Sequence, residues 1–136
     1  MTDISGKTYW LVGASEGMGR ELARKMSAEG AHLILSARNA ERLQSLSATL
    51  PNSRALPLDV TDTSAIRRAA VEIGPIDGLI YNAGAYDPMA ATVWDTTAAL
   101  KMCDVNFTGA MCVICETVPK MLATQSGDIT LIGSLA

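Results

Sequence analysis

Trp10-Leu11-Val12-Gly13-Ala14-Ser15-Glu16-Gly17-Met18-Gly19-Arg20 is the stretch that decides the fold. An apolar run stops at a glycine-rich bend, and an amphipathic segment starts directly after it. That order predicts strand, tight loop, helix. Such a loop presents backbone N–H groups at a helix N-terminus, where the helix dipole favours an anion, so the bend is a candidate phosphate site. Each glycine has a physical reason. Gly13 lets the chain leave the strand in a backbone shape that a Cβ disfavours. Gly17 lets the main chain approach a pyrophosphate, and Gly19 lets the helix pack against the sheet. The plainer reading is a glycine-marked turn with no ligand.

Outward from the bend, strands and helices alternate. Tyr9–Val12, His32–Ala37, Ser53–Leu58, Gly78–Asn82 and Asp128–Ile132 read as strands. Between them, Gly17–Glu29 carries Met18, Leu22, Ala23 and Met26 at helical spacing and is stopped by Gly30. Asn39 is expected to cap a helix through Leu50, with Pro51 as the break. Thr63–Ile73 ends at Gly74-Pro75, and one long helix is expected over Thr97–Gln125. Apolar strands alternating with amphipathic helices imply a parallel sheet covered on both faces. Right-handed crossovers make it an α/β, doubly wound, Rossmann-type fold with its ligand at the carboxyl ends of the strands.

The chain has 136 residues, enough for one domain spanning 1–136. Its net charge of −3, with no basic stripe, gives no footprint for nucleic acid. No apolar run is expected to span a membrane, and the N-terminus shows no signal-peptide core, so a cytoplasmic protein is the default expectation. Cys112-Val113-Ile114-Cys115 has C-x-x-C spacing but no second ligand pair, so no metal site is expected. The cysteines are expected to be small buried hydrophobes in a reducing compartment. His32 reads as a strand-end residue.

At the end of the second strand, Ser36-Ala37-Arg38-Asn39 holds no carboxylate for a ribose 2′-hydroxyl. Arg38 offers a planar charged fork that suits a 2′-phosphate, which favours NADP over NAD. The plainer reading of Arg38 is a solvated arginine at a helix start. Glu16 in the loop opposes NADP, since its charge repels a nearby phosphate.

The G-x-x-x-G-x-G spacing resembles the loop of the short-chain dehydrogenase/reductase family, T-G-x-x-x-G-[IL]-G, with Val12 and Met18 as departures. The resemblance implies that Gly13, Ser15, Glu16, Gly17, Met18 and Gly19 surround the cofactor phosphates. It implies that Asp59 meets the adenine amine and Val60 covers the ring face. By itself, Asp59 also reads as a turn aspartate. Tyr81-Asn82-Ala83-Gly84 is similar to the family's N-N-A-G, with Tyr81 in place of the first Asn. Asn82 would then tie the central strands together, and Ala83-Gly84 would leave room for the nicotinamide ribose. Asn106 matches a family asparagine that bends the long helix and positions a water of the proton relay. A buried asparagine in mid-helix needs a hydrogen-bond partner, which supports that role. Ser134 matches the catalytic serine that polarises the substrate carbonyl; otherwise it is a polar strand-end residue.

The family's Tyr-x-x-x-Lys does not occur: the position four residues after each tyrosine holds Gly13, Ala85 or Ala90. The resemblance thus implies a single domain truncated after Ser134, without the later strands and helices. It implies an NADP-dependent oxidoreductase acting on a small alcohol or carbonyl compound, with this chain inactive alone. A non-catalytic dinucleotide-binding or partner subunit stays open beside it. It also implies a homo-dimer or homo-tetramer seated on the long helix, with Ile114, Val118, Met121 and Leu122 exposed.

Overall fold

The computed structural model describes residues Asp3–Ser134; Met1, Thr2, Leu135 and Ala136, the ends of the expected domain, lie outside the described residues. Five parallel strands form one sheet: β1 (Thr8–Val12), β2 (His32–Ser36), β3 (Ser53–Ala55), β4 (Gly78–Tyr81) and β5 (Asp128–Leu131). Their order is β3-β2-β1-β4-β5. The helices are α1 (Gly17–Ala28), α2 (Ala40–Thr49), α3 (Thr63–Ile73), α4 (Thr96–Cys103) and α5 (Gly109–Thr124).

β1 is central because it is apolar on both sides. Trp10 and Val12 point into one core with Ile66 and Ala70 of α3 and Val113 and Met121 of α5. Tyr9 and Leu11 point into the other, with Ala23 and Met26 of α1 and Leu43 and Leu46 of α2. Period-2 alternation along one strand therefore feeds two helical layers, which is the doubly wound arrangement. The layers are pinned at helix ends. Asn39 and Asp62 accept from the Arg42 and Ala65 amides at the starts of α2 and α3. Lys120 of α5 donates to the Ala70 and Gly74 carbonyls at the end of α3, where a cation suits the dipole.

Register aligns the strand ends. Val12 lies opposite Ser36 and Tyr81, and Tyr81 opposite Leu131. The loops that follow Val12, Ser36, Tyr81 and Leu131 thus leave from one edge of the sheet. The winding reverses between β1 and β4, which opens a crevice there.

Several expectations are corrected. β3 spans only Ser53–Ala55, although Leu56 and Leu58 still donate to Leu35 and Ala37; Pro57 lies between them, where its nitrogen faces the open edge and not β2. The long helix is three pieces: α4 and α5 are joined by a π-helical turn, Asp104–Thr108, that admits one more residue per hydrogen-bonded ring. Its whole stretch Thr96–Thr124 is long and apolar enough to cross a bilayer by length and composition, contrary to the expectation from the sequence. In the fold it packs instead through Val113, Thr117 and Met121. Met121 is therefore buried; Ile114 and Val118 are half-buried, and only Leu122 of that set is exposed. The cysteines are not buried: Cys103 and Cys115 are exposed and Cys112 is intermediate. β5 is exposed along its length, so the sheet is not covered at that end.

Ser36 is fully buried yet satisfied. Its Oγ accepts from Trp10 Nε1 at 2.9 Å and donates to the Leu56 carbonyl at 2.7 Å. Ser36→Ala leaves both groups unpaired in the core. It is expected to lower unfolding free energy by about 1–3 kcal/mol in urea titrations. An unchanged midpoint and slope would contradict this account of the core.

Candidate functional site

The bend after β1 has the backbone the glycines predict. Gly13 has φ +93°, and Gly17 opens α1 at φ +54°. The Gly13 and Ala14 amides both donate to the Ser36 carbonyl, at 2.7 and 3.1 Å, so they are engaged by β2. The next five amides, Ser15 to Gly19, have no hydrogen-bond partner among the described residues. Glu16 occupies the N-cap of α1 but makes no side-chain cap, and the first turn holds no acid. α2, α3 and α4 are capped by Asn39, Asp62 and Asp95. The start of α1 is thus a helix dipole with open donors, which is the electrostatic requirement for an anion site.

Close approach of backbones defines the inner wall. A Cβ on Gly13 would fall 2.7 Å from the Ala83 Cα and from the Asn82 carbonyl carbon. A Cβ on Gly19 would overlap the Gly13 carbonyl and lie 2.6 Å from Asn82 Nδ2. Asn82 Nδ2 donates to the Gly13 carbonyl at 2.9 Å, so this side chain does tie β4 to the loop after β1. Met18 is 64% exposed and lies on the outer side of the bend.

Beside the bend lies a cavity of about 480 Å³. Gly13, Ser15 and Glu16 line it from the first loop, Arg38 from the second, Asp59 and Val60 from the third, and Asn82, Ala83 and Gly84 from the fourth. Nine of the residues singled out in the sequence thus meet in one place. Gly17, Met18 and Gly19 flank it without lining it, and neither Asn106 nor Ser134 lines it. Ala85 also lines it, as does Arg42, which was not anticipated. Arg42 pairs with Glu16 across 26 residues, a contact no local pattern announces. Its place in the first turn of α2, directly after the Asn39 cap, is the signal the sequence offers.

Asp59 is exposed, and its Oδ1 accepts from the Thr61 amide at 2.9 Å and hydroxyl at 2.8 Å. These bonds, with a smaller contribution from the positive charges of Arg38 and Lys101, hold its carboxyl below the usual carboxylate range. Asp59 therefore stays an acceptor at neutral pH.

The π-helical turn is clasped to β4 and to the loop that follows it. Tyr81 donates from its hydroxyl to the Val105 carbonyl at 2.5 Å, and burial pushes this phenol up to about 12. Asn106 accepts from the Ala85 amide at 2.7 Å and donates to the Ala85 carbonyl at 2.8 Å. Asn106 is exposed rather than buried; its partner is a backbone segment at the rim, so the residue serves the loop and not the core. Ser134 is exposed and follows β5, beyond Ile132, whose amide donates to Tyr81.

With this geometry in view, similarity to known proteins is informative. The sequence pattern of the short chain dehydrogenase family matches residues 7–136. Glycine betaine reductase ATRR of Emericella nidulans is 35% identical, over 96% of this chain and 11% of the relative. The 2,3-dihydro-2,3-dihydroxybenzoate dehydrogenase of Bacillus subtilis is 33% identical, over 98% of this chain and 54% of the relative. A crystal structure of a metagenomic short-chain oxidoreductase in complex with NADP superposes with a TM-score of 0.90 at 27% identity, covering 99% of this chain and 65% of that one. The chain spans roughly half, or less, of each curated relative named here, 54% and 11%. It belongs to the short chain dehydrogenase family.

Gly19→Ala puts a methyl group into the Gly13 carbonyl. The variant is expected to lose about 1–3 kcal/mol of stability, with α1 displaced from the bend. Thermal melting together with amide shifts of Ser15 to Gly19 checks this; wild-type values for both would refute the close-approach argument.

Proposed function

We propose that this chain binds a nicotinamide dinucleotide along the carboxyl ends of β1, β2 and β4. We further propose that it is the cofactor-binding part of an oxidoreductase acting on a hydroxyl/carbonyl pair in a small molecule. The observation that carries this reading is the row of open amides from Ser15 to Gly19 at the uncapped start of α1, next to the cavity. The residues present fit the group. The missing Cβ atoms at Gly13 and Gly19 bring the first loop, α1 and the fourth loop into one tight junction. Ser15, Glu16, Gly17, Met18 and Gly19 would hold the phosphates through their main-chain amides, with Gly13 shaping the bend beside them. Asp59 and Val60 would receive the adenine, and Asn82, Ala83 and Gly84 the nicotinamide ribose. Arg38, standing where an acid would select a ribose hydroxyl, supports NADP over NAD. The metagenomic relative solved with NADP is consistent with that preference.

When bound, the nicotinamide ring supplies or accepts the hydride. Ser134 then orients and polarises the substrate oxygen, and Asn106 holds the Ala85 loop while positioning a water for proton transfer. A proton donor is still needed. Tyr9 and Tyr81 are buried in the cores, and no tyrosine is followed by lysine at the family spacing. That observation favours binding without turnover by these 136 residues, either as part of a longer enzyme or as a non-catalytic partner subunit. Three unpaired cysteines among the described residues suit a reducing, cytoplasmic location.

Fluorescence titration of the purified chain is expected to show saturable binding of NADPH, and weaker binding of NADH, without oxidation of either by carbonyl compounds. Failure to saturate with both nucleotides would sink the reading. Self-association is proposed through the α4–α5 surface, where Leu100, Phe107, Met111 and Leu122 are exposed. Sedimentation velocity at micromolar concentration is expected to show a dimer or tetramer; a single monomer boundary would argue against it.

A further inference from the structure

Two arginines reach the adenosine-side loops of the cavity, and they are in different states. Arg38 has no ion-pair or hydrogen-bond partner among the described residues. Arg42, in the first turn of α2, has its backbone fixed by the Asn39 cap and its guanidinium paired with the Glu16 carboxylate. The pair bridges the start of α2 to the start of α1, and both partners line the cavity.

We propose that Arg42 is a second determinant for a 2′-phosphate, and that Glu16 holds it in reserve, so that this ion pair sets how strongly the chain prefers NADP to NAD. This rests on the dinucleotide reading above. Side chains of Arg42 and Glu16 are 58% and 74% exposed, so their attraction is screened and weak. A 2′-phosphate carries close to two negative charges at neutral pH and three acceptor oxygens. It therefore competes well with a single carboxylate for a guanidinium fork. Glu16 acts against the phosphate twice, by repelling it and by occupying an Arg42 donor. Both effects vanish for a cofactor with a free 2′-hydroxyl, which is why the pair discriminates. Only one guanidinium nitrogen is engaged by Glu16, which leaves Arg42 able to turn without moving its capped backbone.

The test uses the full 136-residue chain as wild type, Glu16→Gln, Arg42→Met and the double variant. NADPH and NADH are titrated by fluorescence, and 2′,5′-ADP and 5′-ADP by calorimetry. Glu16→Gln is expected to raise the NADPH-to-NADH affinity ratio by roughly two- to five-fold, the scale of one exposed charge contact. Arg42→Met is expected to lower that ratio, and by more in the Glu16→Gln background than in wild type. The same pattern for 2′,5′-ADP over 5′-ADP assigns the effect to the adenosine end. If wild type binds but Glu16→Gln leaves the ratio unchanged or lowers it, the proposal is wrong and dinucleotide binding stands. It is equally wrong if Arg42→Met has the same effect in both backgrounds, since independent charges would then suffice. If wild type binds neither nucleotide, the dinucleotide reading fails and this inference fails with it.

Discussion

The contact on which the rest depends is the meeting of three backbones at Gly13, Gly19 and Asn82. The Gly13 carbonyl lies where a Gly19 side chain would begin, and the Asn82 amide holds that same carbonyl at 2.9 Å. Because neither glycine carries a Cβ, α1 can start directly over the end of β1. Because Asn82 bonds across, β4 is fixed to the same point. The switch in winding direction, the open amides and the cavity wall all follow from this one close approach. A wider junction would still allow a sheet, but not a helix start within reach of the strand ends.

A second constraint acts through charge. The site gathers Arg38, Arg42, Glu16 and Asp59 around the second and third loops, and each acid is already engaged. Asp59 is held by Thr61, and Glu16 by Arg42. Thr61 is neutral, so Asp59 keeps its negative charge and the four side chains balance; Arg38, which makes no ion pair among the described residues, is the guanidinium open to an anionic group at this end of the cavity. Exposure limits the size of each term, so the arrangement selects between ligands more than it stabilises the fold.

Much of the fold was legible because it rests on local rules. Apolar runs at Tyr9–Val12 and His32–Ala37, and the cap at Asn39, specify elements without reference to anything distant. The candidate site was legible for a related reason: each motif directly follows a strand, and parallel register brings strand ends together. What escaped was non-local. The π-helical turn is invisible in periodicity because Val105 within it and Gly109 directly after it keep a four-residue spacing of small or apolar residues. Asn106 was expected to be buried, since mid-helix position says nothing about which face a widened turn presents. Met121 was expected to be exposed, but Gly127 leaves a recess for its side chain. The Glu16–Arg42 pair joins two loops that no spacing rule connects.

The π-helical turn has one more consequence, for tolerance to change. An extra residue advances a helix by about 100° around its axis, so the stripe that faces inward is offset from one side of the turn to the other. α4 buries no residue, whereas α5 buries Gly109, Ala110, Val113, Thr117 and Met121. The turn works as a phase shifter between a helix that answers to solvent and one that answers to the core. Sequence drift in α4 is thereby uncoupled from packing, while the same drift a few residues later is not.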